Sequence, residues 1–161
     1  MEKKRVNRKL AKKAGRLSIV EGSFTALMLG FGNRYITPYA LVLGASNFMI
    51  GILSTLPNFI GNLHQLVTLR SIKKKSRKEI VALSAVIQAS LWLLVIGLGI
   101  AFILLPEIRG IIPILLIIIY TSLILAGSYG VPAWNSWMRD LIIEQKGTYF
   151  GIRNRVINIV I

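Results

Sequence analysis

The chain alternates long apolar runs with short polar or basic stretches. Residues 17–43, 47–69, 80–105 and 111–137 form four runs long enough for a helix to cross a bilayer core of about 30 Å, which takes about 20 residues. A fifth run, VINIVI, starts at Val156 and is too short to cross unaided, so it reads either as the start of a truncated fifth span or as a tail lying at the interface. Stretches such as IIPILLIIIY do not alternate apolar and polar positions, which excludes barrel strands. The first run is longer than a signal-peptide core and lacks a clean small-residue cleavage site. The predicted fold class is therefore all-α, a polytopic membrane helix bundle of four complete transmembrane helices plus the start of a fifth. The predicted organisation is a basic cytoplasmic N-terminal segment, 1–16, followed by a partial helix bundle over 17–161.

Charge adds an orientation. Of 161 residues 54% are hydrophobic, yet the formal net charge is +14. Such an excess of base suggests nucleic acid only when it lies on a soluble face with aromatics among it. Here the bases punctuate apolar runs, and nucleic-acid binding is not expected. Eighteen of the twenty Lys and Arg residues fall before the first run, between the second and third, or after the fourth. Cytoplasmic segments carry such an excess. The expectation is a multi-pass cell-membrane protein with a cytoplasmic N-terminus, whose basic face attracts anionic lipid at about 1 kcal/mol per close Lys or Arg. The chain has no cysteine, which excludes disulfides and thiolate metal sites.

Two stripes of small residues, Gly22–Ala26–Gly30 and Ser122–Ala126–Gly130, recur at four-residue spacing and predict close helix packing. Polar residues within the runs are the candidates for function. Arg34, beside Asn33, lies inside the first run, where a central arginine costs about 2.5–3.5 kcal/mol unless it meets water or a partner. Glu21 is too far along the same helix to pair with it and reads as an interfacial cap or the partner of a cytoplasmic base. Asn58, Asn62 and Gln65 share one helical face and predict a polar stripe facing other helices. Gln88, Tyr120, Tyr129 and Asn135 are candidates to line the same interior. His64 lies off that stripe and has no ligand-type neighbours, so neither a metal site nor a proton relay is read from it. Trp134 and Trp137 suit an interfacial aromatic belt. No nucleophile–base pair, carboxylate pair, metal cluster or phosphate-cradling loop occurs, so neither an enzyme nor a cofactor is expected.

The segment PAWNSWMRDLIIEQKGTYFGIRNR resembles the loop after the fourth helix in transporters of the major facilitator superfamily: an acid (Asp140), a basic–glycine pair (Lys146–Gly147), then a glycine-containing turn (Gly151) with Arg153 and Arg155. The resemblance extends to a cytoplasmic start, a tiny first outer loop and a basic loop after the second helix. Gly61 matches the glycine of the family's Gly-x-x-x-Asp pattern, while Gln65 stands at the acid position; Arg77 and Lys78 resemble the basic cluster that follows. Lys146 stands where arginine is common and Ile143 where proline often sits. The fourth-helix arginine of many proton-coupled exporters has no counterpart in YTSLILAGSYG. The resemblance implies alternating access, in which two six-helix halves rock about a site for a small solute. It also implies a cytoplasmic gate at Gly61, Arg77, Lys78, Asp140, Lys146, Gly147, Arg153 and Arg155, with Asp140 paired to Arg77 or Arg153. On this reading the chain is an N-terminal fragment, inactive by itself, whose partner is the missing C-terminal half or another transporter chain. Two other classes stay open: a small membrane scaffold that binds other helices, and a homo-oligomeric channel, for which a ring of polar residues is hardly evident.

Overall fold

A computed structural model describes residues 2–71, 76–141 and 146–160, with side chains described for 13–66, 76–140 and 147–159. Among these residues there is no strand, and the architecture is all-helical. Six α-helices follow one another: α1 (Glu2–Leu27), α2 (Ile36–Val42), α3 (Asn47–Ser71), α4 (Arg77–Leu104), α5 (Ile112–Leu141) and α6 (Lys146–Val160).

Two helices, Arg77–Leu104 and Ile112–Asp140, are long and apolar enough to cross a membrane. The other two long runs fall short, for different reasons. Residues 17–43 do not form one helix, because a π-helical turn (Met28–Gly32) and a 3-10 turn (Asn33–Tyr35) separate α1 from α2. Pro38 has no N–H to donate to the carbonyl of residue 34, which removes one α-helical bond just where the backbone changes register. α3 is continuous, but Asn58, Asn62, His64 and Gln65 lower its apolarity below that of α4 and α5. The expected start of the last helix is also corrected. α6 begins at Lys146, well before Val156, so Gly147, Gly151, Arg153 and Arg155 lie on a helix and not in a turn.

Local chemistry accounts for the connections. After α2 the chain closes a Schellman turn: Gly44 donates to the Leu41 carbonyl at 3.0 Å and Ala45 to that of Ala40 at 2.9 Å. Gly44 sits at φ +87°, a conformation that glycine adopts without penalty. Ser46 then caps α3 by accepting from the Met49 N–H at 3.3 Å. After α4, Arg109 folds back, donating from Nε to the Phe102 carbonyl at 2.7 Å with its guanidinium 5.1 Å from the Phe102 ring centre. A cation placed on the last carbonyls of a helix complements its dipole.

The chain divides into two compact units. In the first, Met1–Ile36 with Trp137–Ile161, α1 and α6 run parallel: Gly15 and Ser18 face Tyr149, and Gly22 faces Arg153 and Ile157. The buried small residues Gly15, Ser18, Gly22 and Ala26 make the contact stripe, extending the expected one toward the N-terminus. Gly30, expected to continue it, falls in the π turn. In the second, Thr37–Ser136, α4 is antiparallel to α5, and α3 is parallel to α5. Leu53, Pro57, Ile80, Ile112, Leu116 and Leu123 form its tightest core.

Candidate functional site

α3 carries three kinds of surface in succession around its circumference. At about 3.6 residues per turn, Leu53, Pro57 and Gly61 make one side, and all three are buried. The next sector holds Asn58, Asn62 and Gln65, the first two exposed and the third half-buried. The remaining sector, Leu56, Phe59 and Leu63, is exposed and apolar. Among the described residues the polar stripe therefore does not pack against another helix as expected. The packed side is the glycine side, because Gly61 lets α5 approach until a Cβ there would lie 2.9 Å from Ile124 Cγ2. Asn58 meanwhile donates from Nδ2 to the Ser54 carbonyl of its own helix at 3.2 Å.

Two of the remaining candidates are engaged in packing. Gln88 donates a long 3.5 Å bond from Nε2 to the Leu123 carbonyl, lying over Gly127, where a Cβ would stand 2.5 Å from that nitrogen. Its amide is used between α4 and α5 rather than lining an interior shared with the α3 stripe. One turn earlier Ser84 donates to the Ala126 carbonyl at 2.6 Å over Gly130. Tyr129 is half-buried against His64, with ring centres 5.8 Å apart. Asn135 is half-buried and Tyr120 buried on α5.

At the helix break Arg34 is exposed on the 3-10 turn, and Asn33 keeps its Oδ1 buried with no hydrogen-bond partner among the described residues. π segments are frequent at functional sites, but nothing else in this turn defines a ligand.

The candidate gate residues fall at several places. Arg77 donates from Nη1 to the Ser136 carbonyl at 3.4 Å, bringing the start of α4 to α5. Lys78, Gly147 and Arg155 are exposed, as is Asp140 in the last turn of α5. The Lys146 side chain lies outside the described residues. Arg153 joins α6 to α1. Its Nη2 lies 3.2 Å from Glu21 Oε2, and its Nε donates to the Ser18 carbonyl at 3.4 Å. Glu21 thus has the basic partner its sequence context called for. Beside it the Tyr149 hydroxyl meets the Ser18 hydroxyl. Burial is the main influence on the Tyr149 phenol and raises its pKa above the ordinary value; Arg153 pulls it down and Glu21 adds a smaller upward push.

Several interacting residues were not singled out from sequence. Tyr39 donates to the Val95 carbonyl at 2.7 Å over Gly99. Ser18 and Tyr149 join α1 to α6, and Ser128 lies 3.2 Å from His64. The four-residue spacing of Ser84 and Gln88 within the apolar part of α4 was a signal that could have found Ser84. The partners of His64 and Tyr149 are remote in sequence and were not.

Comparison with protein-family models, with curated proteins and with solved structures finds no match for this chain. The likeness to major facilitator transporters rests on the residues quoted for it.

Proposed function

We propose that this chain forms the first helices of a secondary transporter of the major facilitator type, moving a small solute across the cell membrane by alternating access. The observation that carries the reading is the three-sided character of α3. A helix with a packed side, a polar side and an apolar side suits a place between neighbouring helices, a wet pathway and lipid. Asparagine and glutamine within a membrane are costly unless they face protein or water.

Other features support a membrane setting. The core helix of a soluble protein is mostly buried, whereas 11% of the most apolar window of α4 and 28% of that of α5 are. Leu93, Leu94, Ile96, Ile100 and Ile103 leave α4 broadly apolar outside, a surface suited to lipid and not to water. The helix directions also agree with strict alternation across a bilayer: within one unit α4 opposes α3 and α5, and within the other α1 parallels α6. On this reading residues 17–43 cross as a broken helix with Arg34 at the break, and α3, α4 and α5 supply three further crossings. Asp140 and the bases near it belong to the cytoplasmic gate.

Single cysteines test this, since the chain has none of its own. A membrane-impermeant maleimide should label Asn58→Cys and Asn62→Cys but not Phe59→Cys or Leu63→Cys. Equal protection of all four positions favours the alternative of a membrane scaffold, whose α3 is covered by partner helices.

A further inference from the structure

We propose that residues 28–35 are a two-register switch, poised between the π and 3-10 turns and a continuous α-helix, which turns Asn33 and Arg34 about the helix axis. The Asn33 N–H is caught between the two registers. It donates both to the Leu29 carbonyl, its α-helical partner four residues back, and to the Met28 carbonyl, its π partner five back. Little of the backbone has to move to choose between them. Leu27 (φ −59°, ψ −45°) and Asn33 (φ −62°, ψ −35°) already hold α-helical angles. Gly32 (φ −94°, ψ −75°) departs by about 30° in each, and as a glycine it carries no side chain through the change.

Both ends of the segment are held by packing. Upstream, Gly15, Ser18 and Gly22 seat α1 on α6, and Ala26 is fully buried. Downstream, Ile36 and Ala40 are buried and the Tyr39 hydroxyl donates to the Val95 carbonyl. The paired turns suit that constraint. A turn closed by i→i+5 bonds winds more slowly than an α-helix, and one closed by i→i+3 bonds winds faster. The three residues Asn33–Tyr35, wound at about 3.0 per turn rather than 3.6, gain about 60° on an α-helix. They recover much of what Met28–Gly32 lose. The lag is greatest where the turns meet, at Gly32 and Asn33. Passage to the α register therefore turns Asn33 by up to about 60° and Arg34 by less, with little change in α1 or α2.

Each register has one feature against it. In the present one Asn33 Oδ1 is buried with no hydrogen-bond partner among the described residues, and turning the residue releases it. In the other, Pro38 offers no N–H to the Arg34 carbonyl, so a continuous α-helix lacks that bond. Arg34 is exposed and makes no ion pair among the described residues, so nothing ties its charge to one position. The switch belongs to this helix and does not rest on the transport reading; there it would redirect the Arg34 charge at the break of the first crossing.

Met28–Leu29 is the single Met–Leu step in the chain, so 13C-carbonyl methionine with 15N-leucine marks the Met28 carbonyl alone in a nanodisc sample. Asn33→Leu removes the orphaned oxygen and should hold the present register. Pro38→Ala restores the missing N–H and should favour the α register. The two variants are expected to give different Met28 carbonyl shifts, with wild type lying between them or showing both signals. One shared shift in all three proteins overturns the proposal. Wild type decides it without either variant: exchange on the microsecond-to-millisecond scale or a temperature-dependent Met28 shift is expected. A single signal with flat relaxation dispersion and no movement with temperature overturns the switch. Cysteine labelling of α3 bears on the transport reading and leaves this result untouched.

Discussion

Arg153 reaches Glu21 across the bare backbone of Gly22. The guanidinium Nη2 is 3.2 Å from the carboxylate, and a Cβ on Gly22 would stand 3.2 Å from Nη2 and Nε and 3.0 Å from Ile157 Cδ1. The ion pair and the glycine are thus one device: the absence of a side chain on α1 admits the arginine of α6. Glu21 is half exposed, so the pair itself contributes only about 0–1 kcal/mol. Fit should matter more than charge. Glu21→Gln is expected to change thermal stability in nanodiscs only slightly. Gly22→Leu is expected to cost about 1–3 kcal/mol by overpacking. Equal losses from the two variants would reject this ordering.

Tyr149 makes the same contact pH-dependent at the alkaline end. Its phenol is held neutral above the ordinary tyrosine range, chiefly by burial. A raised folded-state pKa means that the stabilisation is complete below the unfolded value of about 10. It is lost as pH rises through the folded value. Helix pairing in unit 1 is therefore expected to weaken only above about pH 10. Replacement by Phe should remove that alkaline step along with about 0.5–1.5 kcal/mol from the lost hydrogen bond to Ser18. Circular dichroism melts of wild type and Tyr149→Phe between neutral pH and pH 11 would show it.

Close approach of helices in the other unit depends on glycines. A Cβ at Gly130 would stand 2.6 Å from Ser84 Oγ and 3.0 Å from its Cβ, and one at Gly61 2.9 Å from Ile124 Cγ2. Gly130→Val should displace Ser84 from the Ala126 carbonyl, and Gly61→Val should push α3 from α5, each at about 1–3 kcal/mol. Gly97→Ala, with open space above it, is the control and should be tolerated. Resistance to unfolding in detergent–denaturant titrations ranks the three.

Topology is open to direct labelling. Lys78 and Glu107 are both exposed, one at the start of α4 and the other in the turn after it. With impermeant reagent added outside cells, Glu107→Cys should react and Lys78→Cys should react only after permeabilisation. Arg34→Cys, on the exposed side of the 3-10 turn, should react from outside. External labelling at Lys78→Cys would invert the proposed orientation.

The sequence determined the helical class and the positions of α3, α4 and α5, because long uninterrupted apolar runs without alternation leave the backbone only helical bonds within each segment. Gly22 and Ala26 of α1 were legible as a packing stripe, since four-residue spacing is a local property of a helix. Other features depended on tertiary structure. Hydropathy alone ran residues 17–43 together, yet the chain leaves the α-helix there at Met28, and the start of α6 lay hidden in a polar segment. The partner of Glu21 lies on the last helix, and the partners of His64 lie on α5, so no local pattern pointed to either. The α3 face expected to pack was the asparagine face, but the glycine face packs instead. Periodicity says which residues share a side of a helix; only the neighbouring helix decides which side it touches, and here it came to the side with the least in its way.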